Sequence, residues 1–145
     1  MVKRHPIGKS LMAGVVASLL SAPCGVAADL KVIANPQLAV SVISLDELKS
    51  VFLGTRTSLR QGGHVQPVLD RQGSNLNQFS SVYLGKTSTA LETYYRSLVF
   101  TGKWSMPLAF SSDAEVVAYV AKTSGAIGFV PEATPSDGVK TLRVR

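Results

Sequence analysis

Apolar positions recur along this chain with two alternating periods, one suited to strands and one to helices. Residues 30–35 (LKVIAN) set Val32 and Ala34 against Leu30, Lys31 and Ile33, which predicts a short strand ended by Pro36. Residues 40–43 are a second apolar stretch, either extended or the lead into a helix. Ser44-Leu45-Asp46-Glu47 then reads as a capping box, in which the serine oxygen takes an orphan N–H and Glu47 reaches back. Leu45, Leu48, Val51 and Phe52 share one face of the helix it opens, and Gly54 stops it. Residues 55–63 are polar and glycine-containing, which predicts a surface loop.

Strand character returns over residues 65–70, where Pro67 points to an edge strand or a strand start. Gly73-Ser74-Asn75 turns the chain into a helix bearing Leu76, Phe79, Val82 and Tyr83, stopped by Gly85. A third helix, capped by Thr87, Ser88 or Thr89, runs to about Val99 with Leu91, Tyr94, Tyr95 and Leu98 as its stripe. After a loop over residues 100–107, Ser112-Asp113-Ala114-Glu115 is a second capping box. Its helix buries Val116, Val117, Tyr119 and Val120 and ends at Gly125. Residues 126–130 and 139–144 complete the chain as strands around a loop. The order β-α-β-α-α-α-β-β predicts an α/β architecture, a mixed sheet flanked by helices.

The first thirty residues follow another logic. Lys3, Arg4 and Lys9 precede an apolar run from Leu11 to Leu20, and Val26-Ala27-Ala28 offers the small side chains a signal peptidase accepts. Residues 1–28 are therefore expected to be a cleaved signal peptide, and residues 29–145 a single domain in the periplasm. The run falls short of the roughly 20 apolar residues of a bilayer span, so no stable membrane insertion is expected. Cys24, the only cysteine, raises the alternative of a lipid anchor, but Pro23 occupies the place where lipid attachment wants a small residue.

Removing the leader changes how the charge reads. The full 145 residues carry 15 Lys and Arg against 9 Asp and Glu, a formal +6. The mature part keeps 12 of those bases and all nine acids, a charge near +3, with no basic cluster. Nucleic-acid binding, which wants clustered basic and aromatic side chains, is not expected. Nor is an enzyme. His64 stands alone in a polar loop, no serine sits in a Gly-x-Ser-x-Gly elbow, and no metal-ligand spacing is present. Asp46, Glu47, Asp113 and Glu115 all fall in first helical turns, where capping and the helix dipole account for them. No cofactor is implied.

The segment that stands out runs from Val68 to Phe79, where a strand ends at Arg71 and a Gly-Ser-Asn turn opens a helix. Free N–H groups at a helix start, the hydroxyl of Ser74, the amide of Asn75 and a guanidinium that forks across two oxygens are all devices for holding an oxyanion. Gly73 lets the backbone approach a ligand. Arg71, Gly73, Ser74 and Asn75 are thus the candidate ligand-binding residues. The bland reading is a helix cap with Arg71 paired to Asp70 or in water.

Three motifs in order resemble phosphate-type periplasmic substrate-binding proteins. Residues 43–54, ending Val51-Phe52-Leu53-Gly54, are similar to the family's helix closing on Ile-Phe-x-Gly. Residues 68–79 are similar to its strand, phosphate turn and helix. Ser124-Gly125-Ala126-Ile127-Gly128-Phe129-Val130 is similar to its Pro-Gly-Ala-Ile-Gly-Tyr-Val segment. The resemblance implies a single periplasmic-binding-protein-like lobe that holds phosphate or a similar oxyanion and serves an ABC importer. It assigns Arg71 to the arginine that opens the phosphate turn and Gly73-Ser74 to its Gly-Ser.

The chain departs from the family pattern in two ways. Gln72 runs straight into Gly73, so the acid of the usual Arg-Ser-Asp-Gly-Ser-Gly-Thr is missing, and its threonine has no counterpart. The length also suits one lobe of ~100–150 residues rather than a two-lobe clamp. A lone lobe covers one side of a ligand and binds it weakly. The competing reading is an accessory module that docks on another envelope protein and has lost the ligand. The exposed-looking Tyr94, Tyr95 and Trp104 either serve that docking or complete the core.

Overall fold

The computed structural model describes residues 30–145. The signal peptide, its cleavage site and Cys24 lie outside the described residues. Six strands form one sheet: β1 (Leu30–Ala34), β2 (Val42–Ile43), β5 (Gln66–Asp70), β6 (Leu108–Phe110), β7 (Ala126–Pro131) and β8 (Lys140–Val144), in the order β2-β8-β1-β7-β5-β6. β1 runs against both of its neighbours, with Leu30 opposite Pro131 and Val32 opposite Leu142, while the remaining pairings are parallel. The sheet is mixed and helix-flanked, as its α/β sequence pattern predicts.

Helices cover both faces, so the inner strands read as nearly continuous apolar runs. On one face, α1 (Leu45–Phe52), α2 (Asn75–Phe79) and α3 (Ser88–Phe100) pack against Leu30, Val32, Leu69, Ile127 and Phe129. Phe79 is the keystone there. Its ring stacks on Phe129 at 3.9 Å and meets Phe52 edge-on at 4.7 Å. On the other face α4 (Asp113–Lys122) lays Val116, Val117 and Val120 over Ile33, Val68, Ala126 and Val130. Gly128 permits this close approach, because a Cβ there would stand 3.2 Å from Val116 Cγ1.

Caps form where the sequence places them. Ser44, Thr87 and Ser112 accept hydrogen bonds from the N–H groups of Glu47, Ala90 and Glu115. The first capping box is only half made, however. The Glu47 carboxylate accepts from Arg56 Nη1 at 3.4 Å and the Arg60 N–H at 3.3 Å, because the following loop folds back over the helix start. That loop also holds a small hairpin, β3 (Ser58–Leu59) with β4 (Gly63–His64), anchored by the buried Leu59.

Other local expectations are corrected by packing. β5 is an interior strand despite Pro67. The Gln66 N–H donates to Gly125 O on the β7 side, so the next residue faces β6. Pairing with β6 begins only at Val68, so the N–H that proline lacks has no strand opposite it. The helix after the Gly-Ser-Asn turn is wider than α-periodicity assumes. Residues 80–84 form a π-turn, which rotates Val82 outward to 50% exposure and buries Leu84 instead. β6 was not visible in the pattern, being three residues after a loop. Tyr95 is buried and its hydroxyl donates to Phe52 O at 2.7 Å. Tyr94 donates to Leu53 O, and Trp104 packs against that core. These three aromatics complete the core rather than forming an outward docking face.

Candidate functional site

Beyond β5 the chain goes to the α1–α3 face and out to β6. Beyond β6 it crosses to the opposite face and returns through α4 to β7, on the inner side of β5. The carboxyl ends of β5 and β6 are therefore a switch point, where the two following helices diverge and leave a crevice of the kind that open α/β sheets use for ligands.

Asp70 ends β5 there and is 0% exposed. Parallel pairing puts it on the same face as Val68, toward α4, which brings its carboxyl beside that of Asp113 in the first turn of α4. Asp70 Oδ1 accepts the Gln72 N–H at 2.9 Å, and Oδ2 accepts from Asn75 Nδ2 at 3.1 Å. The same Asn75 amide donates to Asp113 Oδ1 at 2.9 Å. Thr134, in the loop after β7, donates to Asp113 Oδ2 at 3.3 Å, and Gln72 Oε1 accepts the Asp113 N–H at 2.8 Å.

Burial is the largest cause pushing Asp70 up, joined by the hydrogen bond and charge of Asp113. The Gln72 N–H and the Asn75 amide oppose it, and the balance stands at about 7. Two carboxyls this close share a proton instead of both ionising. Asp70 is accordingly a proton donor toward Asp113 near neutrality.

The four sequence-predicted residues surround this pair but do not converge on one point. Arg71 Nη1 is bonded to Glu92 Oε1 of α3 at 2.9 Å, neither paired with Asp70 nor free in water. Asn75 has spent both amide hydrogens on the two acids, and its backbone N–H donates to Gln72 O. Ser74 is exposed and its hydroxyl accepts from Gln78 Nε2 at 2.8 Å. Gly73 has φ 55°, and a Cβ there would meet nothing within 4 Å, so the turn is open to solvent. Sequence reasoning missed Asp70, Asp113, Gln72 and Thr134 as a group. The available signal was an acid closing the apolar run Val68-Leu69, which a buried strand end does not carry without a partner.

His64 lies exposed on β4, and among the described residues no group of three or more His, Cys, Asp or Glu is placed to hold a metal ion. None of the described helices is long and apolar enough to cross a membrane.

No family model and no curated protein matches the sequence. Solved structures do match. An ABC-type phosphate transport receptor from Vibrio cholerae superposes with a TM-score of 0.53 at 15% identity, covering 79% of this chain and 45% of that one. A putative phosphate ABC transporter substrate-binding protein with bound phosphate from Clostridium perfringens gives 0.60 at 15%, covering 79% and 44%. A possible phosphate binding protein from Planctomyces limnophilus gives 0.54 at 19%, covering 80% and 41%. The fold is that of substrate-binding proteins. More narrowly, the chain is a small relative of the phosphate-receptor fold, and it spans less than half the length of each of these structures.

Proposed function

We propose that this protein is an exported, non-enzymatic solute-binding module that holds phosphate or a similar tetrahedral oxyanion weakly, in association with an ABC-type importer. Residues 1–28 act as a cleaved signal peptide and residues 29–145 as one periplasmic domain. The observation that carries the reading is the shared fold with phosphate receptors, combined with an open Gly73-Ser74 turn at the switch point of the sheet.

In this reading the Gly73 and Ser74 N–H groups and the Ser74 hydroxyl meet the anion. Arg71 adds charge through the part of its guanidinium that Glu92 leaves unused. Asn75 takes an indirect role, tying the acid pair beside the site. Calorimetry or thermal unfolding with inorganic phosphate tests it. At about ten times Kd, phosphate adds roughly 1.4 kcal/mol of stability. Arg71→Ala removes most of this gain; a gain that is absent, or indifferent to the mutation, rejects the site.

One set of observations favours a second reading, an envelope accessory module that kept the fold and lost the ligand. Arg71 and Asn75 both have protein partners already, and the chain has less than half the length of the receptors it matches. An intact protein that is blind to phosphate, yet co-purifies with an envelope component, supports that reading over the first.

A further inference from the structure

β6 is the last strand of the sheet, and we propose that it is a self-association edge. A second copy of this chain pairs its own β6 antiparallel to the first, about a two-fold axis at Ala109. The inference does not depend on the oxyanion reading.

Exposed edges are normally guarded by charge, a bulge or a covering segment. This one is not: residues 105–112 (SMPLAFSS) contain no charged side chain. Leu108 is 45% exposed, and Met106 and Ala109 are exposed with it. The end of α3 adds Val99 and Phe100, the latter 93% exposed. Between that helix end and the edge lies an open groove of about 730 Å³, lined by Val99, Trp104 and Met106 among others. The opposite edge, β2, is only two residues long and offers no comparable template.

The backbone selects the partner. Phe110 O accepts the Arg71 N–H at 2.8 Å, so Phe110, and Leu108 two residues before it, turn their polar groups toward β5. Ala109 lies between them, and its N–H and C=O point off the sheet. In an antiparallel pair two such residues exchange both hydrogen bonds at a Cα separation of about 5.5 Å. Ala109 opposite Ala109 of a second copy satisfies all four groups with one two-fold operation, which is the closed symmetry most oligomers use. Such pairing continues the sheet from one copy into the next, and Leu108, Met106, Val99 and Phe100 supply the apolar surface flanking it. Size argues the same way. The chain covers 41–45% of the three structures that share its fold, and a pair restores their bulk. β6 also leads directly into Asp113, so the second copy stands next to the switch-point crevice.

Light scattering on the size-fractionated protein over a range of concentrations tests this. Wild type is expected at twice the chain mass. Ala109→Pro deletes the outward N–H without touching the β5 pairing, and Leu108→Lys places a charge on the edge. Each should weaken association at least tenfold while circular dichroism stays native. If Ala109→Pro fails to fold, Leu108→Lys decides alone, since its side chain is already half in solvent. A wild type that is monomeric at every concentration overturns the proposal. So does a dimer that survives Leu108→Lys with the fold intact.

Discussion

Replacing Asp70 by Asn isolates the energy stored in the acid pair. The Asp70 carboxyl is 0% exposed and titrates at about 7 in the folded protein, against 3.8 as its ordinary value. The folded state therefore holds this proton more tightly than the unfolded chain does. The stability it contributes is fully present below about pH 4 and is lost as the pH rises to about 7, beyond which the curve is flat again. The gap corresponds to on the order of 4 kcal/mol, at 1.36 kcal/mol per tenfold change in proton affinity. An asparagine has nearly the same shape, carries no proton to lose, and can donate to Asp113 at every pH. Urea unfolding of both proteins across that interval reads the difference directly. Near pH 4 the two should be of comparable stability; near pH 8 the variant should exceed wild type by several kcal/mol. Curves that stay parallel throughout would falsify the claim that Asp70 keeps its proton through burial and Asp113. A wild type that gains on the variant as the pH rises would do so more sharply, since it reverses the sign.

Two further substitutions probe the core. Phe79→Ala removes the ring between Phe52 and Phe129 and should cost ~3–5 kcal/mol in denaturant unfolding; a cost below about 1 kcal/mol means the three rings do not form one packed unit. Tyr95→Phe keeps the packing but deletes the 2.7 Å donor to Phe52 O, leaving a buried carbonyl at the end of α1 underbonded. A loss of about 1–2 kcal/mol is expected from thermal melts, and an unchanged melting temperature refutes that hydrogen bond.

The acid pair also bears on how an oxyanion site operates here. Phosphate receptors need an acceptor for the proton of hydrogen phosphate, and the turn of this chain has no acid after Arg71. Asp70 and Asp113 stand beside that turn with one proton between them near neutrality. Their charge disfavours an anion when both are ionised, so phosphate binding, if it uses this turn, should weaken as the pH rises through about 7.

What the sequence determined by itself was whatever depends on near neighbours in the chain. Ser44, Thr87 and Ser112 cap helices because the cap bond spans three residues. The apolar runs at β1 and β7 are strands because helices on both faces demand continuous hydrophobicity. The mixed α/β class followed from their alternation. Tertiary structure decided everything that joins distant residues. It brought Asp70 and Asp113 together, although each alone reads as a strand end and a helix start. It sent Arg71 to Glu92, and it turned Val82 outward through a π-turn. It also made Pro67 acceptable inside the sheet by starting β6 one residue later. The division has a single physical cause: local hydrogen bonds are encoded by spacing, whereas the pairing of buried charges and the free edge of a sheet are settled only when separate elements pack.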